Sequence, residues 1–292
     1  MTSMQKWVGR AMSLKTVIVL VDASPESMER ARQAVSICQR FGAHLIGVFV
    51  SPPGWARVPA ESFAIGSAAI QAVIQRWKAL QNDATDDAFR AFETSIRNES
   101  VSFEFRAVLE NEISDFLYLH CLHADLVIAG VRQFNALPSF APAIEAQFAS
   151  SGTPMLLIPE DWKGGDIGAR VMLGWNASRE ARRAIIAAMP FFNTAQAMHV
   201  VVVDAAKNSR LGEEPGSDVA LLLSRHGIDV TLNNLVSHGR AIANVLLEFA
   251  AQNALDLIVI GAYSHSMTRE RLFGGVTKTL LQRSSVPLLA VF

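Results

Sequence analysis

Short apolar runs alternate with longer amphipathic stretches along this chain. Residues 15–22 form one such run, and a helical pattern follows over residues 28–41. Residues 170–176 form another run, followed by a helical pattern over residues 181–190. Runs this rich in Val, Ile and Leu are typical of parallel strands that are buried on both faces. Their alternation with helices predicts an α/β fold in which helices cover a parallel sheet.

The same order of features occurs twice. Each first run ends in an Asx-Ala-Ser-x-Glu turn, which starts at Asp22 in one copy and at Asn176 in the other. Ser24 and Ser178 occupy the position of helix N-caps, and each is followed by an acidic residue in the predicted first turn. The chain therefore contains an internal repeat that begins with a strand, an Asx turn and a helix.

Two later segments recur as well. An apolar strand ends in a glycine at Gly130 and at Gly261, and a strand that begins with proline follows at residues 154–158 and 287–291. We therefore predict two tandem, doubly wound parallel sheets of five strands each, in a Rossmann-like arrangement.

The repeat divides the chain into predicted parts. Residues 15–160 form the first domain, residues 169–292 form the second, and a charged, glycine-containing linker spans residues 159–168. Residues 1–14 are expected to be a disordered leader, and residues 61–97 a helical insertion in the first copy. In the second copy, strands are predicted at residues 170–175, 198–203, 229–235, 255–260 and 287–292.

Composition limits the partners that this chain can bind. Half of its 292 residues are hydrophobic, and 18% are charged, against about 25% in typical soluble proteins. Its net charge of −1 excludes nucleic-acid binding through a bulk basic excess, and the apolar content excludes disorder. No apolar run approaches the roughly 20 residues of a membrane span. The two cysteines, Cys38 and Cys121, lie in helical patterns, which fits buried thiols and a cytoplasmic location.

The last loop of the second copy carries a specific pattern. Gly261, Ser264 and Gly274 keep the spacing Gly, two residues, Gly, nine residues, Gly, except that Ser264 stands for the second glycine. Together with the repeated strand-Asx turn and the closing strand at residues 287–292, this pattern resembles the universal stress protein family. The resemblance implies a stress-response regulatory or binding module with weak ATP binding, and with Mg²⁺ bound only together with the nucleotide.

The resemblance also implies which residues would bind the nucleotide. Glycines let the backbone approach a phosphate closely, and a helix that starts after the loop would favour an anion at its N-terminus. The Asx residue after the first strand would contact the base or sugar. The implied positions are Asn176, Val202, Gly261, Ser264, Gly274, Gly275, Val276 and Thr277, with Arg269, Arg271, Asp22 and Gly130 as a second group.

Each copy departs from the family pattern. Ser264 replaces a glycine, Gly275 replaces the usual Ser or Thr, and Asn176 replaces the usual Asp. The first copy keeps Asp22, but no glycine pair follows Gly130. A structural role therefore stays open as an alternative to nucleotide binding for these residues. Gly261 could simply end a strand, and Asp22 and Asn176 could cap the helices that follow them. Arg269 and Arg271 also fit ordinary solvated loop charges, rather than phosphate contacts.

Three functions from different classes follow. The first is a regulatory module that binds ATP in the second copy, and the second is the same fold acting through protein partners or an apolar pocket. The third is a slow ATPase, which lacks support because the chain has no P-loop and because Ser264–His265 lacks a nucleophile elbow. The resemblance also implies that the last strands of the two copies pair within the chain as a pseudo-dimer, which would cover two sheet edges, and a further homodimer is left open.

Overall fold

Two halves of similar architecture make up the chain. A computed structural model describes residues 13–51, 67–108, 113–131, 151–207, 211–262 and 275–292. The N-terminal half contains β1 (Thr16–Val21), α1 (Pro25–Phe41), β2 (His44–Val50), α2 (Ser67–Ile96), β3 (Phe103–Val108), α3 (Ile113–Leu122), β4 (Leu126–Gly130) and β5 (Met155–Ile158).

The C-terminal half repeats this order with shorter connections. It contains β6 (Arg170–Gly174), α4 (Arg179–Phe192), β7 (Ala197–Val203), α5 (Ser217–Arg225), β8 (Thr231–Leu235), α6 (Ile242–Gln252), β9 (Leu257–Gly261), α7 (Gly275–Arg283) and β10 (Leu288–Val291). All five predicted strands of the second copy are present, with ends shifted by no more than two residues.

All ten strands form one continuous sheet in the order β3-β2-β1-β4-β5-β10-β9-β6-β7-β8. The first and fourth strands of each half are neighbours, and the pairs within each half are parallel. The last strands of the halves pair antiparallel, with Leu288 opposite Leu157 and Leu289 opposite Leu156. This pairing was predicted, but it joins the two expected sheets into one.

Both faces of the sheet are covered. In β1, Val17 and Val19 pack on one side and Ile18 and Leu20 on the other, and all four are fully buried. The alternation of these side chains places one helix layer on each face, which explains why half of the sequence is apolar. Leu14, at the end of the predicted leader, is already part of the core at 5% exposure.

The first helix of each half begins at the predicted serine N-cap. Ser24 Oγ accepts from Ser27 N, and Ser178 Oγ accepts from Ala181 N, both over 3.1 Å. A side-chain oxygen in this position satisfies one backbone N–H that the first helical turn leaves unpaired. The two serines therefore fix where α1 and α4 leave the sheet.

Contacts between the halves reach beyond the strand pair. The rings of Phe41 and Phe191 meet edge to face, with centroids 5.4 Å apart. Arg40 Nη2 donates to Ile167 O over 2.6 Å, which ties the end of α1 to the linker. Asp256 then accepts from Gly168 N over 2.7 Å, so the linker is also held to the C-terminal half.

Candidate functional site

The predicted site lies where β6 and β9 end side by side. Gly174 of β6 is in register with Ile260 of β9, so Asn176 and Gly261 come just beyond the carboxyl ends of neighbouring strands. The strand order reverses here, since β6 continues to β7 on one side and β9 to β10 on the other. Ligands of open α/β sheets bind in the crevice at such a point.

Asn176 holds the turn between β6 and α4. Its Oδ1 atom accepts from Ser178 N over 3.2 Å, and Ala177 between them has a φ of +55°. Ser178 provides the helix cap, so the interpretation of Asn176 as the cap was wrong. The Asn176 side chain is exposed. It therefore stands at the edge of the crevice.

Gly261 has a packing role at the end of β9. A β-carbon there would overlap Ala181 N and the carbonyl carbon of Glu180. The first turn of α4 thus rests directly on the backbone of β9. This contact explains the glycine without a ligand, and it brings the N-terminus of α4 to the same edge.

The predicted residues of α7 differ in exposure. Gly275, its first residue, is exposed, and a β-carbon built on it would meet nothing within 4 Å. Thr277 is 5% exposed, so its side chain lies on the packed side of the helix, and Val276 is half-buried. The open space is therefore in front of Gly275, where the unpaired N–H groups of a helix start are found.

Val202, in β7, is buried next to Gly216 at the start of α5. It is 1% exposed, and its Cγ2 atom would lie 3.2 Å from a β-carbon on Gly216. The remaining predicted residues, Ser264, Arg269, Arg271 and Gly274, lie outside the described part of the chain.

Arg30 fills the corresponding place in the N-terminal half. Its Nε and Nη2 atoms donate to Leu20 O at the end of β1, over 3.1 and 3.0 Å, and Nη2 lies 3.8 Å from Asp22 Oδ2. A β-carbon on Gly130, at the end of β4, would lie only 2.6 Å from Arg30 Nη1. The guanidinium group thus lies between the ends of the first and fourth strands and is 4% exposed.

Nearby carboxylates compensate this buried charge. Burial lowers the pKa of Arg30, and Asp22, Glu160 and Glu26 act in the opposite direction. Asp22 also accepts from Ser24 N over 2.8 Å, so it stabilises the turn while Ser24 caps α1. The interpretation of Asp22 as the cap was therefore wrong. Sequence reasoning missed Arg30, because its position in α1 is marked only by helical spacing.

The C-terminal half has no arginine in this place. The offset that relates Asp22 to Asn176 relates Arg30 to Ala184, which is fully buried in the core. The two halves therefore differ at their centres. The N-terminal crevice contains the buried guanidinium group of Arg30, whereas the residue at the matching sequence position of the C-terminal half is Ala184.

Asp204 is a second residue that sequence reasoning missed. It follows β7, and its carboxylate accepts from Ser237 N over 2.8 Å, from Ser237 Oγ over 2.6 Å and from Lys207 Nζ over 2.6 Å. These hydrogen bonds hold the pKa of Asp204 well below its usual value, and the bond from Lys207 has the largest effect. Asp204 thereby ties the ends of β7 and β8 together at the same edge of the sheet.

Strained backbone marks this edge as well. Ala177, Asp204 and His238 follow the ends of β6, β7 and β8, and their φ angles are +55°, +53° and +50°. Non-glycine residues adopt this conformation at a cost of about 1–3 kcal/mol, and such residues cluster at functional sites. These residues lie in the loops that follow three adjacent strands, and Ala177 is next to Asn176.

The sequence of the C-terminal half decides the family. Residues 170–291 match the model of the universal stress protein family. The C-terminal half belongs to that family. One curated relative, a universal stress protein of Synechocystis sp., is 25% identical over 92 residues. That match spans 32% of this chain and 31% of the relative, or about a third of its length.

About 94% of the chain shares its fold with two solved structures, one of which is a universal stress protein. A universal stress protein from Archaeoglobus fulgidus superimposes with a TM-score of 0.63 at 14% identity, over 94% of this chain and 95% of that chain. A functionally unknown protein from Pseudomonas aeruginosa superimposes with a TM-score of 0.55 at 13% identity, over 95% of this chain and 92% of that chain. These likenesses extend the universal stress protein fold to the N-terminal half.

A cavity of about 610 Å³ lies apart from the predicted residues. Leu14, Asp125 and Thr153 line it from the N-terminal half, and Arg183 and Phe292 from the C-terminal half. None of the described site residues contributes to its wall. In the described ranges, no three His, Cys, Asp or Glu side chains are grouped to hold a metal ion, and no helix is long and apolar enough to cross a membrane.

Proposed function

We propose that this chain is a two-module universal stress protein whose C-terminal half binds an adenine nucleotide weakly. The site would be the carboxyl edge between β6 and β9. The observation that carries this proposal is the difference between the halves. Arg30 occupies the N-terminal crevice beside Gly130, whereas the matching sequence position of the C-terminal half is the buried Ala184, so that half has no arginine there.

Different residues would contact different parts of the nucleotide. The exposed amide of Asn176 offers both a donor and an acceptor to a base or sugar. The open N-terminus of α7 at Gly275 would attract phosphate, because backbone N–H groups and the helix dipole favour an anion there. Ser264, Gly274, Arg269 and Arg271 stay sequence-based predictions for the phosphate loop, and Mg²⁺ would enter only with the nucleotide.

The proposal is for binding without turnover. Regulation would then follow from whether the nucleotide is bound, as expected for a module that responds to its level. The free, buried thiols Cys38 and Cys121 fit the cytoplasmic location that belongs to this proposal.

Calorimetric titration with ATP, with and without Mg²⁺, tests the proposal. The decisive variant is Gly275→Asp, which places a carboxylate where phosphate would bind. Since a β-carbon there meets nothing within 4 Å and acidic residues suit a first helical turn, this variant should fold normally. Gly275→Ala is the matched neutral control. We expect a roughly tenfold or greater loss of affinity, about 1.4 kcal/mol, in the aspartate variant alone.

Two results would overturn the proposal. One is the absence of binding heat for the wild type at millimolar nucleotide. The other is equal affinity for the alanine and aspartate variants, since phosphate would then bind elsewhere. A second candidate, action through protein contacts without nucleotide, is favoured by the exposed apolar residues of α2, which include Ile74 and Leu80.

A further inference from the structure

Three of the seven histidines of this chain lie near the edge strand β3 of the N-terminal half. His44 is the first residue of β2, His120 lies in the last turn of α3, and His123 follows that helix. Two charged residues of β3, Glu104 and Arg106, lie next to them. Histidine is the side chain that ordinarily changes its charge between pH 5 and 8. The cluster therefore combines a permanent cation and one carboxylate with groups that can gain charge in mild acid.

His120 accepts a hydrogen bond from Arg106. The Nδ1 atom of His120 lies 2.8 Å from Arg106 Nη1. An arginine side chain has no acceptor and stays protonated, so Nδ1 must supply the lone pair and the imidazole must be neutral. The other terminal nitrogen, Nη2, pairs with Glu104, which fixes the direction of the guanidinium group. This contact between α3 and β3 therefore exists only while His120 Nδ1 carries no proton.

The surroundings of His120 oppose its protonation. Burial, and after it the cation of Arg106, lower the pKa of His120, whereas Glu104 raises it and His123 lowers it. Glu104 is also close to His44, whose Nε2 atom lies 4.0 Å from Glu104 Oε1. A proton on His120 would thus be placed against the Arg106 cation, and the carboxylate that favours it is shared with two other groups.

Helix α3 is held to the sheet by a narrow surface. Leu117 and Cys121 are 1% exposed and pack in the apolar layer on one face of the sheet. Leu119 and Leu122, by contrast, are exposed at 46% and 44%. The helix has ten residues, and helices of that length are marginal in water without tertiary contacts. The loss of one contact at its end should therefore favour local opening.

We propose that the hydrogen bond between His120 and Arg106 is an acid-sensitive switch, in which a proton on His120 breaks the bond and loosens the end of α3. It is separate from the nucleotide proposal, because it lies in the half whose crevice Arg30 occupies.

Amide hydrogen exchange at pH 7.5 and pH 5.5 gives the first test. In the open helix His120 would have the ordinary histidine pKa of about 6.5, so protons should favour opening by up to about tenfold at the lower pH. Protection factors, which correct for the intrinsic effect of pH on exchange, should fall by that factor over residues 117–122. Those of α6, the corresponding helix of the C-terminal half, should not change. Constant protection over residues 117–122, or an equal fall in α6, would overturn the proposal.

Two variants test the roles of the proton and of the cation. His120→Asn keeps an acceptor for Arg106 but does not titrate, so protection should be equal at both pH values. His123→Asn is the matched control and should keep the dependence, because His123 Nδ1 lies 2.6 Å from Leu119 O of its own helix. Arg106→Gln keeps a donor without the charge and should raise the pKa of His120, measured by NMR. A tenfold dependence that survives in His120→Asn, or an unchanged His120 pKa in Arg106→Gln, would contradict the switch.

Discussion

Arg30 Nη1 lies 2.6 Å from the point that a β-carbon on Gly130 would occupy. The arginine comes from the first helix of its half and the glycine from the end of the fourth strand. Their contact closes the N-terminal crevice with a group that the chain itself supplies. The glycine is required there by the approach of a side chain, and a bound phosphate is not needed to explain it.

Gly130→Ala should destabilise the protein by about 2 kcal/mol. The added methyl group would push Arg30 away from Leu20 O and leave a buried charge less well paired. Urea unfolding followed by circular dichroism measures the effect. Gly165→Ala is the control, since a β-carbon there meets nothing within 4 Å. Equal unfolding midpoints for the two variants would show that Arg30 moves aside without cost.

Gly261→Ala should be more damaging than Gly130→Ala. Its methyl group would overlap the backbone at Ala181, and backbone cannot move aside as a side chain can. We expect a loss of about 3 kcal/mol or more in the free energy of unfolding, or a failure to accumulate folded protein. The Gly275→Ala variant should keep the wild-type stability. A Gly261→Ala protein as stable as the wild type would contradict the packing of α4 on β9.

Asp204 should make stability depend on pH in the acidic range. Its pKa in the folded protein is below the unfolded value of about 3.9, so its contribution is complete above about pH 5. The contribution is lost as pH falls through the unfolded value toward the folded one. Asp204→Asn removes the titration, and asparagine tolerates the positive φ.

The measurement is the difference in Tm between the wild type and Asp204→Asn across the acidic range. This difference should be largest near neutral pH and should shrink below about pH 4. A difference that stays constant with pH would mean that the carboxylate charge of Asp204 does not stabilise the fold.

The two thiols should be unreactive in the folded protein. Burial raises the pKa of Cys38 and of Cys121 to about 12, and both side chains are 1% exposed. A thiol reagent acts on the thiolate, so labelling at about pH 8 should wait for unfolding. Addition of guanidinium should then release both thiols for reaction. Rapid labelling of the native protein would show that one of the helices opens locally.

Much of the fold could be predicted from patterns among residues that are close together in the sequence. The repeat predicted the order of strands and helices and the serine caps, which depend on apolar runs and on turn chemistry that are local in sequence. The pairing of β5 with β10 was expected from the resemblance to the universal stress protein family. The single continuous sheet follows from that same pairing.

The centre of the site depended on distant contacts that no local pattern contains. Arg30 looks like any residue on the inner side of α1 until Leu20 and Gly130 are placed beside it. Likewise, the helical spacing of α2 predicted a helical insertion but not its projection. Residues 67–80 extend past the sheet because Gln81 is level with Ser51, and this contact joins residues 30 positions apart.

The antiparallel contact between β5 and β10 orients the two halves in opposite directions. The strands of one half therefore have their carboxyl ends at one rim of the sheet, and the strands of the other half have theirs at the opposite rim. Residues 67–80 of α2 extend from one rim, while Asn176 and Gly275 are at the other, and the two rims are about 20 Å apart along the strands. A ligand bound beside Asn176, as proposed, would therefore not contact this part of α2.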